Sequence, residues 1–308
     1  MEQAELNLET FNDRVDKYGK RVASLDDEIE KLKKLWGDIE ADAAKGTVSG
    51  EAVRMIGLSL TTITAEAGTD LEKTSLETLL ETKMVKDWLQ TMRQEKRFSV
   101  EKILIQSVDM FGPKVGFIKL NATVKVDGKQ VPGIAFMRGG SVGVLVVLRH
   151  RDGNGKESLS TLVVRQPRVP VACGDIVEIP AGMLDGDGNF AGVAAKEVKE
   201  ETGLEINVSE LVDMTELVFR DSYPGMYPTC GGSDEFNRLY VYQKDVTAEE
   251  MESMNGRLTG VAEEGERIKV QILPLDQLWR QTADAKALAA LCLYSKLSAQ
   301  GKITFPKL

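Results

Sequence analysis

Between Ile179 and Leu204 the chain admits one local arrangement: a strand that stops, a loop, and a helix marked at both ends. Ile179-Pro180-Ala181-Gly182 closes an apolar strand, because proline has no amide to donate to a further ladder. Met183 to Gly188 reads as a loop. Asn189 then offers an N-cap for a helix whose apolar positions are Ala191, Ala194, Ala195 and Val198. Gly203 supplies the left-handed residue on which helices end. Within that frame Glu197, Glu200 and Glu201 stand at i, i+3 and i+4, neighbours on one face of the last turn. Each opposes the helix macrodipole by about 0.3 to 1 kcal/mol, so together they store roughly 1 to 3 kcal/mol of unfavourable electrostatics. A divalent cation would relieve it, and oxygen donors suit Mg²⁺, or Mn²⁺. Lys196 and Lys199 give a competing account, a solvated face whose charges neutralise one another.

Other features narrow the chemistry. Cys173, Cys230 and Cys292 stand far apart without metal-ligand spacing, which removes a zinc site and a disulfide framework and leaves them as expected core residues. A single histidine, His150, expected as a solvated side chain at a strand end, argues against a histidine-based triad or metal site. Carboxylates are therefore the groups left for proton and metal chemistry. The net charge of −9 excludes non-specific affinity for nucleic acid, which comes from lysine and arginine displacing counterions. No apolar run approaches the roughly 20 residues that span a bilayer. The acidic start Met-Glu-Gln-Ala-Glu-Leu lacks the character of a targeting signal, so the expected location is the cytoplasm or the interior of an organelle, away from membrane and nucleic acid.

A length of 308 residues, 42% hydrophobic and 28% charged, suits a globular chain of two domains. Leu8, Phe11, Val15, Tyr18, Val22, Leu25, Ile29, Leu32, Trp36 and Ile39 alternate spacings of three and four, a heptad seam with charged residues between. Residues 1–45 are thus expected to be a coiled-coil-like arm that pairs subunits or recruits a coiled-coil partner, the alternative being a helix packed on its own domain. Residues 46–101 are a linker around a short helix, followed by a helix from about Leu71 to Arg97. From Lys102 the period turns to two. Strands are expected at Ile103–Val108, Val115–Val126, Ser141–Leu148, Ser160–Arg165, Asp175–Ile179, Glu216–Phe219, Arg238–Tyr242 and Ile268–Leu273, with a closing helix over Asp284–Ser298. This mixture gives an α/β (α+β) fold: a β-rich subdomain over 102–140 and a catalytic domain over 141–308.

The segment around the acidic helix resembles the Nudix hydrolase family, whose box runs G-x5-E-x7-R-E-U-x-E-E-x-G-U, with U aliphatic. Starting it on Gly182 puts Lys196, Glu197, Val198, Glu200, Glu201, Gly203 and Leu204 in register. Gly188 replaces the first glutamate and Lys196 the arginine, which orients a glutamate in the family. The resemblance runs over roughly residues 85 to 300. Val108 to Gly112, Val131 to Ile134, Arg138-Gly139, Val169-Pro170 and Trp279 to Lys286 look like the ADP-sugar pyrophosphatase branch, in particular its plant-type members acting on ADP-glucose and ADP-ribose.

That resemblance implies an α/β/α sandwich with a mixed sheet. It also implies Mg²⁺-dependent hydrolysis of a nucleoside diphosphate sugar, giving AMP and a sugar 1-phosphate, by a homodimer that exchanges its β-rich subdomain. By the same comparison Glu197, Glu201, Glu266 and the backbone carbonyl of Ala181 are the metal ligands. Glu264 is the general base and Glu200 a further catalytic carboxylate. Arg138, Arg168, Gly232 and Ser233 contact substrate, and Phe111 and Trp88 are the aromatics available for stacking on adenine. NADH or a GDP-sugar remains open as substrate, as does a weakened, nucleotide-binding sensor.

Overall fold

A computed structural model describes residues 62–65, 74–151, 155–184, 189–260 and 267–305. The heptad arm expected over residues 1–45 lies outside these residues, as do Gly188, Glu264 and Glu266. Contacts divide the chain into two units, Met1–Phe136 and Met137–Leu308.

The first unit carries helices α1 (Leu76–Glu81) and α2 (Lys83–Gln94) and strands β1 (Thr62–Ala65), β2 (Phe98–Phe111), β3 (Lys114–Val126), β4 (Lys129–Val131) and β5 (Ile134–Met137). The sheet runs β1-β2-β3-β4, with β5 also on β3. Where a linker around a short helix was expected, Thr62–Ala65 is an edge strand parallel to β2. The helix expected from Leu71 to Arg97 is broken at Thr82, which has an extended ψ of 142° and ends one helix while starting the next. Its hydroxyl donates to the Leu79 carbonyl at 2.7 Å. That bond supplies one of the partners a helix end lacks.

Along β3 the buried residues Ile118, Leu120, Ala122 and Val124 keep a strict period of two. On β2 the buried set is Val100, Ile103, Ile105 and Val108, and its two phase slips coincide with register shifts after Val100 and after Ile105. A bulge inserts one residue, so the apolar face stays on one side despite the broken spacing.

The second unit is built on strands β6 (Gly140–Arg151), β7 (Glu157–Arg168), β8 (Cys173–Glu178), β9 (Ala181–Met183), β10 (Val212–Asp213), β11 (Phe236–Asp245), β12 (Leu258–Thr259) and β13 (Ile268–Pro274). They follow the order β10-β11-β6-β7-β13-β12, with β8 on β7 and β9 on β6. The β11–β6 pair is parallel and its neighbours are antiparallel, so the sheet is mixed. Helices α3 (Phe190–Thr202), α4 (Met214–Phe219), α5 (Ala248–Met254), α6 (Leu278–Gln281) and α7 (Ala285–Ala299) cover both faces. Val142, Val144, Val146 and Leu148 of β6 join Ala194 and Val198 of α3 and Met254 of α5 in one core. Leu145 and Val147 point the other way, into a core with Ala287, Ala290, Tyr294 and Leu297 of α7. The result is an α/β/α sandwich. Burial on both faces is why β6 reads as an unbroken apolar run.

Three expectations are corrected. Glu216–Phe219 is helical, part of α4: Asp213 caps it by accepting the Glu216 amide at 2.8 Å, and a short apolar run is helix or strand according to such caps. Cys230 and Cys292 are exposed and Cys173 is half-buried, so none is a core residue. His150 lies in the penultimate position of β6, half-buried, with Nε2 3.3 Å from Ser160 Oγ. Among the described residues, no helix is long and apolar enough to cross a membrane.

Leu145 is fully buried in the α7-side core. Leu145→Ala should therefore cost about 2 to 5 kcal/mol, read in urea melts as a lower midpoint at unchanged slope.

Candidate functional site

The site grows from the junction of β9 with the last turn of α3. Asn189 caps the start of α3, accepting the Gly192 amide at 3.0 Å, and Gly203 ends it with φ 73°. Both caps were legible in the sequence. Ala194 and Val198 are fully buried, which turns the face carrying Glu197 and Glu201 toward β9.

Glu201 is 4% exposed, and its Oε2 accepts the Ala181 amide at 2.9 Å. Glu197 lies against Gly182: a Cβ on that glycine would stand 1.9 Å from the carboxyl carbon and 2.1 Å from Oε1. Only glycine lets the strand approach the carboxylate so closely. Antiparallel pairing of Ala181–Met183 with Ser141–Gly143 of β6 fixes the position of β9. Two carboxylates and a strand backbone are thereby gathered at one place, a donor set of hard oxygens suited to Mg²⁺. Among the described residues, no three of His, Cys, Asp and Glu come close enough to hold a metal by themselves.

Glu200 stands at the outer edge of this face. It is about one-third exposed, at 35%, and lies 3.4 Å from Lys196 as an i,i+4 pair, while Lys199 pairs with Glu205 at 2.8 Å. Two of the charges in this turn are thus handled as on an ordinary solvated helix. The carbonyls of Glu200 and Glu201 accept from the Gly260 amide (3.3 Å) and the Thr259 hydroxyl, respectively. These bonds tie β12, immediately ahead of the acidic segment Ala262 to Glu266, to the end of α3.

Arg168 and Arg138 are both held by acidic partners. Arg168, at the end of β7, donates from Nε to Glu178 Oε1 at 2.7 Å and from Nη2 to Oε2 at 3.1 Å. Lys286 Nζ meets the same Oε2 at 2.5 Å and lies 3.1 Å from Asp284. Burial alone would push the Glu178 carboxyl up, yet the Arg168 and Lys286 cations hold it below the usual carboxylate range. The bond to Glu178 raises the Arg168 pKa against the opposing effect of burial, and the charges of Glu201 and Asp284 add to it. Burial, helped by the neighbouring Glu178 charge, holds the Asp284 carboxyl above its ordinary value.

The backbone amides of Arg138 and Gly139 donate to the Asp234 carboxylate at 2.8 and 3.2 Å. The Arg138 guanidinium is 3.4 Å from Glu235 and reaches the sulfur of Met183, on the strand that carries Ala181 and Gly182. Gly232 and Ser233 form a closed turn on the Thr229 carbonyl, and Ser233 Oγ accepts the Glu235 amide. Their amides serve that turn, which sits beside the anchor of Arg138. Phe111 is 57% exposed and lies edge-on to Phe117, while Trp88 is half-buried on α2.

Glu178, Lys286, Asp284 and Asp234 escaped the sequence reading as site residues. Asp284 and Lys286 lie in the Trp279 to Lys286 segment singled out by resemblance, but without a role attached. Glu178 meets Lys286, and Asp234 meets Arg138, across about a hundred positions, which spacing does not register.

A model of the NUDIX domain matches residues 137–292. Over 256 residues the chain is 36% identical to Nudix hydrolase 14, chloroplastic, of Arabidopsis thaliana, and the alignment covers 80% of each chain. It is also 34% identical over 88 residues to the ADP-ribose pyrophosphatase of Saccharomyces cerevisiae, covering 29% of this chain and 34% of that one.

Gly182→Ala should destabilise by about 1 to 3 kcal/mol through overpacking. The double variant Gly182→Ala/Glu197→Ala should regain most of that in urea melts, because the obstructing carboxylate is gone. A second expectation concerns acid. A carboxyl held below its unfolded value of about 4.3 contributes stability that is present above that pH and is lost as the pH falls through the folded value. Lys286→Met removes one of the two cations that hold Glu178 down, so acid unfolding followed by circular dichroism should begin at a higher pH than in the parent chain.

Proposed function

This chain belongs to the Nudix hydrolase family, and on that footing we propose that it hydrolyses the diphosphate bond of an ADP-sugar, ADP-ribose or ADP-glucose, to AMP and a sugar phosphate. The observation that carries the reading is the placement of Glu197 and Glu201 against Ala181 and Gly182. Similarity to an ADP-ribose pyrophosphatase supports the choice of substrate class.

Glu197 and Glu201, with the Ala181 carbonyl and Glu266, would hold Mg²⁺ or Mn²⁺. When bound, the ion supplies positive charge against the diphosphate oxygens and acidity to a water ligand. The chain's own groups do the rest. Arg168 and Arg138 orient the diphosphate, since a planar guanidinium matches phosphate geometry in pairs of hydrogen bonds. Glu264 accepts the proton of the attacking water as general base. Glu200, paired with Lys196, stands at the rim of the same turn as a further catalytic carboxylate. The Gly232–Ser233 turn is assigned to the sugar side on its resemblance to the glycine-rich loop of the ADP-sugar branch, and Asp234 next to it holds the backbone of Arg138.

Phe111, Ile134 and Phe136, all exposed on the first unit, support a homodimer that buries this surface. The Arabidopsis relative is a chloroplastic protein, which supports an organellar location.

Incubation with Mg²⁺ and a panel of ADP-ribose, ADP-glucose, NADH and GDP-sugars should release AMP from the ADP-sugars fastest. Glu201→Gln should lower that rate by at least about a hundredfold with its melting temperature nearly unchanged, because the glutamine carbonyl still accepts the Ala181 amide. Binding of ADP-ribose without product by the parent chain would instead indicate a nucleotide-binding module.

A further inference from the structure

Lys286 is 14% exposed and its two acidic partners, Glu178 and Asp284, are 4% and 12% exposed at their side chains. Taking an ammonium out of water costs several kcal/mol, so a lysine here requires a compensating role. Neutralising Glu178 is insufficient as that role, because Arg168 already meets the carboxylate with two hydrogen bonds. Capping α7 is insufficient too: Asp284 accepts the Lys286 and Ala287 amides at 3.3 and 3.2 Å, a task an uncharged serine performs as well.

Lys286 adds a third point of attachment. Glu178 Oε1 takes Arg168 Nε, and Oε2 is shared between Arg168 Nη2 and Lys286 Nζ. A carboxylate gripped at three points does not rotate. A planar guanidinium bonded along its Nε–Nη2 edge then has no rotation left either, and the direction of Nη1 is fixed with it. Nη1 has no acceptor among the described residues, and Arg168 keeps 43% of its side chain exposed. The lysine is itself held in place, because the Thr282 hydroxyl ties the turn ahead of α7 to the Val177 carbonyl at 2.6 Å, next to Glu178.

We propose that Lys286 is a positioning residue: by gripping Glu178 it locks the Arg168 guanidinium so that Nη1 meets an oxygen of a nucleoside diphosphate beside the α3 carboxylates. This rests on the reading of Arg168 as a diphosphate contact. It adds a residue from the far end of the chain, on the opposite side of the sheet from α3, to the determinants of substrate affinity.

A double-mutant cycle on the full chain tests it, with calorimetry of α,β-methylene ADP-ribose in Mg²⁺, a ligand that resists hydrolysis, so that affinity is measured apart from turnover. Arg168→Met should weaken binding by about tenfold and Lys286→Met by about three- to tenfold. Arg168→Met/Lys286→Met should bind no more weakly than Arg168→Met, because the lysine acts through the arginine. Lys286→Arg should restore most of the affinity and guards against a general packing defect in the methionine variant. Losses that multiply in the double variant would overturn the proposal and leave Lys286 a structural ion-pair residue. Parental affinity in Arg168→Met would overturn it together with the assignment of Arg168, while AMP release in the substrate panel would still stand for the hydrolase reading. Failure of the parent chain to bind the analogue would remove both.

Discussion

The hydrogen bond from the Ala181 amide to Glu201 is the joint on which the site depends. A carboxylate that is 4% exposed carries a desolvation cost of several kcal/mol, and a charge-assisted bond to one backbone amide returns about 1.5 to 3 kcal/mol of it. That balance holds only while β9 stays where β6 places it and α3 stays packed through Ala194 and Val198. The core therefore does more than stabilise the unit. It presses a negatively charged helix end against a strand, and the space for the Glu197 carboxylate exists only because residue 182 has no side chain.

Around that joint the charges are distributed by burial. Lys196 and Lys199 pair with Glu200 and Glu205 in solvent, where such pairs contribute a few tenths of a kcal/mol. The cluster of Arg168, Glu178, Lys286 and Asp284 is of another kind. Glu178, Lys286 and Asp284 meet there with little solvent while Arg168 stays partly exposed, and their arrangement rather than their net charge is what survives. Geometry is the gain from such pairs when their energies nearly cancel.

What the sequence disclosed and what it hid divide along the same line. Periodicity and caps are local properties, so the strands β6, β7, β11 and β13, the α3 helix with Asn189 and Gly203, and the i, i+3, i+4 placement of the glutamates could all be read from residue types and spacing. The two bulges of β2 were hidden because an extra residue breaks the period while preserving the face. The Glu216–Phe219 segment was misread because four residues do not separate a period of two from one of 3.6, and the cap on Asp213 decides. Burial of the cysteines failed as an expectation because it rests on an average over proteins, whereas Cys292 sits on an outward position of α7. The Glu178–Lys286 and Arg138–Asp234 contacts were invisible for a geometric reason: the fold brings together residues 108 and 96 positions apart, and no local pattern encodes either meeting.

The departure of Lys196 from the family's arginine acquires a physical meaning in this arrangement. An arginine can bind a carboxylate with two parallel hydrogen bonds and so set its plane, whereas an ammonium is a point charge that sets only its distance. Here the lysine side chain is 60% exposed and stands 3.4 Å from Glu200, along the helix rather than across it. Its restraint falls on the outer carboxylate. The inner ones are restrained by backbone instead, Glu201 by the Ala181 amide and Glu197 by the close approach of Gly182. The Ala181 amide thus gives Glu201 a main-chain restraint that does not depend on the side chain at residue 196, and the substitution is compatible with the metal-binding role proposed for it.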